Sequence, residues 1–103
     1  MYTVHWNVND GRNGYPNITA DLSWTDQAAA SYEDAIRRHA SIKNVRFVGD
    51  SDYSPIEITR GRINGINYRD YKVFYLPRDA KDRSVILSKE IRIFCKKYRK
   101  AKS

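Results

Sequence analysis

The chain has 103 residues, of which 41% are hydrophobic and 13% aromatic, and it carries a net charge of +7. This composition excludes an intrinsically disordered chain, and the single cysteine excludes a disulfide framework. The apolar runs are too short to span a membrane, and the N-terminus lacks the pattern of a secretion signal. We therefore predict one compact domain over residues 1–103, located in the cytoplasm.

The first half of the chain predicts two strands and a helix. Residues 2–8 and 18–24 each alternate apolar and polar side chains, which is typical of half-buried strands that pair antiparallel. Residues 26–42 lack glycine and proline and repeat apolar side chains at helical spacing, so we predict a surface helix there. Its candidate N-caps are Ser23, Thr25 and Asp26. Two ion pairs are expected on its exposed side, Glu33–Arg37 and Asp34–Arg38.

A short strand at residues 45–49 precedes the strongest local signal, the dipeptide Asn64-Gly65 between two β-prone segments. Asn-Gly accepts positive φ at both central positions of a tight turn, so we predict a hairpin. The expected cross-strand pairs are Ile63–Ile66, Arg62–Asn67, Arg60–Arg69 and Glu57–Lys72. Three arginines then share one face near the tip, namely Arg60, Arg62 and Arg69. Apolar side chains follow on that face toward the base, namely Ile56, Ile58, Tyr71, Val73 and Tyr75.

The segment after Pro77 predicts a basic C-terminal helix over residues 83–100, capped by Asp79 or Asp82. Its apolar stripe consists of Leu87, Ile91, Phe94, Cys95 and Tyr98. The element order is then ββαβββα, an α+β fold with a mainly antiparallel sheet of about five strands and two helices. From Asp26 onwards the order αβββα resembles that of double-stranded RNA-binding domains. No binding residue is carried over, because residues 82–87 lack that family's lysine-rich signature.

Positive charge is concentrated in the C-terminal segment. Residues 78–103 hold ten lysines and arginines against three acids, a surplus equal to the net charge of the whole chain. On the predicted helix, five cations form a ridge opposite the apolar stripe, namely Lys89, Arg92, Lys96, Arg99 and Lys100. A directional positive field favours a polyanionic or acidic partner. The competing interpretation is a solubilising face that also offsets the helix dipole.

The three hairpin arginines form a second candidate site. Their guanidinium groups suit phosphate or carboxylate ligands, although charges on a hairpin also discourage edge-to-edge pairing of sheets. Tyr68 lies two residues beyond the turn and is the best candidate for stacking on a nucleic-acid base, with a neutral surface or core position as the alternative.

The leading functional hypothesis is a small non-enzymatic binding protein that docks its cationic helix, with the arginine hairpin, on nucleic acid or a nucleoprotein. The alternative is an inhibitor or adaptor, of the kind that phages and mobile elements encode against host defence, which blocks an acidic or nucleic-acid-binding surface of another protein. A small metal-independent ribonuclease is a further alternative, because the chain has suitable residue types in His39, Arg60, Arg69 and Tyr68. No motif predicts a cofactor, a metal site or a membrane partner.

Overall fold

The computed structural model describes residues 2–10, 21–26 and 29–99, which form one antiparallel sheet and one α-helix. The strands are β1 (Tyr2–Asn9), β2 (Asp21–Thr25), β3 (Val45–Phe47), β4 (Ile56–Ile63), β5 (Ile66–Pro77) and β6 (Leu87–Arg99). The helix α1 (Tyr32–Ile42) follows β2, and a single 3-10 turn, Arg83–Val85, precedes β6. The predicted α+β fold with two helices in the order ββαβββα is therefore wrong, because the observed order is ββαββββ.

The two longest strands, β5 and β6, lie at the centre of the sheet. β6 pairs with β1 on one side and with β5 on the other, and β2 adds to the outer side of β1. β3 and β4 share the remaining edge of β5, with β3 at its C-terminal end and β4 along its N-terminal part. The sheet curls into a half-barrel, and α1 packs on its inner face.

The hydrophobic core lies between α1 and the inner face of the sheet. Alternate residues of each strand point inward, so the core takes every second residue of the central strands. The sheet contributes Trp6, Val8, Tyr71, Val73, Tyr75, Ile91 and Ile93, and the helix contributes Ala35, Ile36 and Ala40. Each of the fully buried isoleucines stabilises the fold by about 1.5–3 kcal/mol.

α1 begins six residues later than the sequence predicts, and none of the three predicted caps starts it. Ser31 is the N-cap, and its Oγ accepts a hydrogen bond from the Asp34 backbone N–H at 3.2 Å. The predicted Glu33–Arg37 pair is present at 2.6 Å. The predicted pair of Asp34 with residue 38 is not formed, because Arg37 takes Asp34 and the next arginine bonds to Asp26 instead.

The hairpin prediction is confirmed at the tip. Asn64 and Gly65 have φ angles of 52° and 78°, and Ile63, Arg62 and Arg60 pair as expected. Nearer the base the predicted register is wrong, because β4 contains a bulge at Ile58 and Glu57 pairs with Tyr71 rather than with Lys72. A bulge of one residue reverses which side chains face inward. It therefore puts Glu57 on the arginine face, and it leaves Ile56 and Ile58 about half exposed.

The predicted C-terminal helix over residues 83–100 is wrong, since this segment forms a single 3-10 turn and then β6. Asp82 does act as a cap, but only for that turn, where its carboxylate accepts from the Ser84 backbone N–H at 2.9 Å. In β6 the inward positions are Ile91, Ile93 and Cys95, whereas Phe94 points to the other face. The resemblance in element order to double-stranded RNA-binding domains ends here, because a strand replaces the last helix.

Candidate functional site

β6 distributes the predicted cationic ridge over both faces of the sheet. Lys89 lies on the inner face, where its Nζ is 3.1 Å from Asp10 Oδ1. Arg92 lies on the outer face and is only 6% exposed, because its guanidinium makes two hydrogen bonds to Asp70 at 2.6 and 2.9 Å. Two of the five ridge cations are therefore committed to ion pairs within the fold.

The other ridge cations do not extend this surface as one stripe. Lys96 is exposed on the outer face, on the side opposite Lys89. Arg99 ends β6 opposite Tyr2, and its side chain falls outside what the structure describes. Lys100 lies beyond the described residues. A strand sends neighbouring residues to opposite faces, so the helical ridge does not form.

The hairpin arginines, in contrast, come together as the predicted register requires. Arg60 lies directly opposite Arg69, and Arg62 is two residues further along the same face of β4. We call these three residues the hairpin cluster. The bulge adds Glu57, which accepts two hydrogen bonds from Arg60 at 2.6 and 2.9 Å and lies 3.6 Å from Arg69 Nη1. The hydrogen bonds from Arg60 lower the pKa of Glu57, so this carboxylate stays charged.

Arg69 ties the hairpin cluster to the helix. Its guanidinium carbon lies 4.2 Å from the centre of the Tyr32 ring, and its Nη1 donates to the Tyr71 hydroxyl at 3.3 Å. Tyr32 is the first residue of α1 and packs edge-on against Trp6, with ring centres 5.2 Å apart. Arg69 is therefore held in place by the fold. Arg60 and Arg62 are exposed, and among the residues described Arg62 makes no ion pair.

The hairpin cluster lines an open cleft of about 340 Å³. The cleft is lined by Tyr32, Arg60, Gly61, Arg62, Asn67, Tyr68 and Arg69, with no carboxylate among them. Its size is at the lower end of the range for small-ligand sites. A Cβ atom at Gly61 would lie 2.6 Å from the Tyr68 hydroxyl oxygen, so the absence of a side chain there lets Tyr68 cross the strand.

Tyr68, the predicted stacking residue, already has partners within the protein. The Arg92 guanidinium carbon lies 4.1 Å from its ring centre, and the Phe94 ring is tilted against it at 5.8 Å. Arg92 thus occupies one face of the ring. Stacking of a base on Tyr68 stays a prediction.

Lys97 adds a further positive charge on the inner face, near the hairpin cluster. It is exposed and lies two residues beyond Cys95, which faces Asn67 across the sheet. The charges of Lys97 and Arg69 both act on the Cys95 thiol. Burial nevertheless raises the pKa of this half-buried thiol, so it is held in the unreactive protonated form.

Of the residues suggested for a ribonuclease site, Arg60, Tyr68 and Arg69 line one cleft, but His39 does not join them. His39 is 1% exposed, and its Nδ1 lies 3.2 Å from the Tyr75 hydroxyl. Its Nε2 lies 3.2 Å from Asp10 Oδ2, and Lys43 Nζ approaches the same oxygen at 3.7 Å. This buried group, which we call the Asp10 cluster, also includes Lys89. It had no signal in the sequence, because its members are distant in the chain and meet only in the folded core.

The charge of Asp10 is maintained by its neighbours. Burial by itself would raise the pKa of the Asp10 carboxyl, but the contacts and charges of His39 and Lys89 outweigh it and the pKa is lowered. Asp10 and His39 are enclosed, with side chains 2% and 1% exposed, whereas the side chains of Lys43 and Lys89 reach the surface. Its arrangement suits an ion pair that joins β1, α1 and β6.

Comparison of the chain with protein-family models, curated proteins and solved structures found no match. Within residues 2–10, 21–26 and 29–99, no three histidine, cysteine or acidic side chains are grouped so as to hold a metal ion. In that same part of the chain, no helix has both the length and the apolar character needed to cross a membrane.

Proposed function

We propose that this chain is a non-enzymatic binding protein whose hairpin cluster holds the phosphates of a nucleic acid. The observation that carries the proposal is the convergence of Arg60, Arg62 and Arg69 on one open cleft, with no carboxylate among the described residues that line it. The helical ridge is not part of the proposal.

The cluster has donors to spare for a ligand. A guanidinium group carries five N–H donors, and Glu57 takes only two of those on Arg60. Arg62 is exposed and makes no ion pair within the described residues. Three arginines against one carboxylate leave a local surplus of positive charge, and the planar guanidinium binds phosphate oxygens in a bidentate manner. Such contacts fix position on the phosphate backbone and do not read the base sequence.

Salt dependence is the signature of this mode of binding. Each neutralised phosphate releases condensed counterions, so log K falls linearly with log salt, with a slope of about −0.7 to −0.9 per contact. Three contacts predict a slope of about −2 to −3.

The test is fluorescence anisotropy with labelled 20-nucleotide DNA and RNA, single-stranded and duplex, between 20 and 200 mM salt. The variant Arg60→Gln/Arg62→Gln is expected to bind about tenfold more weakly at low salt, because it lacks two charge-assisted contacts. The matched control is Arg38→Gln/Lys72→Gln, which removes the same charge elsewhere: Arg38 pairs with Asp26, and Lys72 lies on the outer face. Absence of binding at 20 mM salt, or an equal loss in the control, would refute the proposal.

The outer edge of β4 favours a second candidate, binding of another protein as an inhibitor or adaptor. Among the described strands β4 pairs only with β5, and Ile56 and Ile58 are 54% and 50% exposed. Acidic side chains of a partner would meet Arg60 and Arg62 on the same strand. The test is capture of a stoichiometric partner from nuclease-treated lysate. Loss of this partner with Ile56→Ser/Ile58→Ser, together with its retention by the exposed control Ile42→Ser/Val85→Ser, would favour this candidate over nucleic acid.

A further inference from the structure

We infer that a second arginine-lined cleft, between α1 and β3, binds another part of the same single strand of nucleic acid, so that tight binding requires a minimum length. This inference rests on the proposed function and adds to it a second site and a length requirement. The cleft has a volume of about 380 Å³. Its walls include Arg37 and Ser41 of α1, Arg46 and Phe47 of β3, and Arg78, and none of its described lining residues is a carboxylate.

The three arginines of this second cleft differ in how far the fold already uses them. Arg78 is exposed and makes no ion pair within the described residues. Arg46 donates one hydrogen bond to the Ala80 carbonyl oxygen at 2.5 Å, which positions its guanidinium and leaves other donors for a ligand. Arg37 is shared by two acids of its own helix and contributes less net charge. Arg46 and Arg78 are therefore the expected phosphate contacts.

The wall of the second cleft is fixed by a close approach of ring and backbone. Gly49 has a φ angle of 61°, and a Cβ atom there would lie 2.5 Å from the ring of Phe47. The ring also packs edge-on against Tyr75, with centres 6.4 Å apart. The cleft thus combines two exposed cations with an apolar wall, which suits a phosphate and its attached sugar or base.

Both clefts border the edge of β5 that carries β3 and β4. Asn67 and Arg69 of the first cleft lie on the inner face, whereas Arg46 of the second pairs with Leu76, an outer-face position, so the bound strand would have to curve around this edge. From Arg69 to Leu76 the strand rises about 23 Å, at ~3.3 Å per residue. The stretch of α1 from Tyr32 to Ser41 spans about 14 Å, at ~1.5 Å per residue. At ~3.4 Å per stacked nucleotide, the clefts are about four to seven nucleotides apart.

The acidic loop between β3 and β4 packs against the outer face of the sheet, and one of its two acids is paired within the fold. Its Tyr53 packs against Phe74 at 5.4 Å, and Phe74 points to the outer face, away from α1. Asp50 in the same loop is paired with Arg83 at 2.6 Å. A flexible single strand follows a curved edge of this kind more easily than a stiff duplex does.

The test is a length series of single-stranded oligonucleotides of 4, 8, 12 and 16 nucleotides at low salt, with duplexes of the longer lengths in parallel. We expect the affinity of the wild type to rise by about tenfold or more between 4 and 12 nucleotides. Arg46→Gln/Arg78→Gln should keep the 4-nucleotide affinity and lose most of that rise. Arg38→Gln/Lys72→Gln is the control with matched charge. The single variant Arg78→Gln tests the second cleft while the hydrogen bond from Arg46 to Ala80 is preserved.

The outcomes separate this inference from the proposed function. If Arg46→Gln/Arg78→Gln binds 12 nucleotides as the wild type does while Arg60→Gln/Arg62→Gln does not, the second site is refuted and the proposed function stands. Tight binding of duplex alone would also refute the single-strand route. If no oligonucleotide of any length binds, both are refuted.

Discussion

The Asp10 cluster and the hairpin cluster share a chemistry, a single carboxylate among several cations, and differ in burial. The Asp10 side chain is 2% exposed, whereas that of Glu57 is 33% exposed. A buried charge must be compensated inside the fold, because water cannot solvate it there. An exposed ion pair is screened by water and salt, so its cations remain available to a partner. Burial therefore suits the first cluster to stabilising the fold and leaves the cations of the second accessible for the proposed binding.

The largest effect is expected at Asp10. Asp10→Asn removes the buried charge that Lys89 and His39 contact. Because the Lys89 side chain is half exposed, the cost should lie below the ~3–5 kcal/mol of a fully buried ion pair. Urea unfolding measures the free energy of unfolding. Asp50→Asn, which breaks an exposed pair with Arg83, is the control and should shift the midpoint far less. Similar effects of the two variants would contradict the conclusion that burial makes the Asp10 cluster more important for stability than an exposed ion pair.

Asp10 also predicts an acid-dependent loss of stability. Its folded-state pKa is lowered from the usual value of 3.8, so its contribution is complete above that pH. The contribution is lost as the pH falls below 3.8 through the lowered pKa, because the unfolded chain binds the proton more readily. The measurement is the urea midpoint between pH 5 and pH 2. The urea midpoint of Asp10→Asn should fall less steeply with pH than that of the wild type. Parallel declines of the two midpoints would exclude Asp10 as a source of the acid-dependent loss of stability.

A smaller effect is expected at Tyr75, whose hydroxyl lies 3.2 Å from His39 Nδ1. Tyr75→Phe keeps the ring and should cost about 1 kcal/mol, the typical value of a hydrogen bond. Tyr53→Phe is the control at neutral pH, because the Tyr53 hydroxyl makes no hydrogen bond within the described residues. Burial, aided by the charge of Asp10, raises the pKa of Tyr75 above its usual 10.

The raised pKa of Tyr75 predicts an alkaline effect of defined sign. Its contribution to stability is complete below pH 10 and is lost as the pH rises beyond it, since the unfolded chain releases the proton first. The wild type should therefore lose stability above pH 10 more steeply than Tyr75→Phe. Equal slopes in urea unfolding would show that the hydroxyl is not held neutral by burial.

The smallest effect is expected from Glu57→Gln. It removes the one carboxylate beside the hairpin cluster, so affinity for nucleic acid should rise by about two- to threefold at low salt, within the range of exposed charge pairs. Glu90→Gln is the control, because Glu90 is exposed on the outer face opposite Lys72. An unchanged affinity of Glu57→Gln for nucleic acid, or an equal gain in the control, would exclude the hairpin cluster as the binding surface.

The part of the candidate site that could be predicted lies in the hairpin. Asn64-Gly65 determines the turn, and a two-residue turn sets which residues face each other, so Arg60 and Arg69 were placed correctly. The bulge at Ile58 could not be foreseen, because nothing local to the sequence distinguishes it. That bulge brings Glu57 into the hairpin cluster and exposes the two isoleucines of β4.

The C-terminal segment shows the opposite case. Its apolar residues fit both a helical stripe through Phe94 and a strand alternation of Ile91, Ile93 and Cys95. The β-branched residues favour the strand, and this was the signal that could have corrected the prediction. The strand prevails because β6 bonds on both sides, to β1 and to β5, and thereby satisfies its backbone groups with distant partners.

The sequence by itself determined a neutral body with a basic C-terminal segment, a tight hairpin and the arginine face at its tip, because each depends on composition or on neighbouring residues. Only the tertiary structure decided where the cations of β6 point and that Asp10 meets His39 and Lys89 in the core. Those outcomes depend on pairing between residues far apart in the chain, and a pattern within one segment carries no information about its partners.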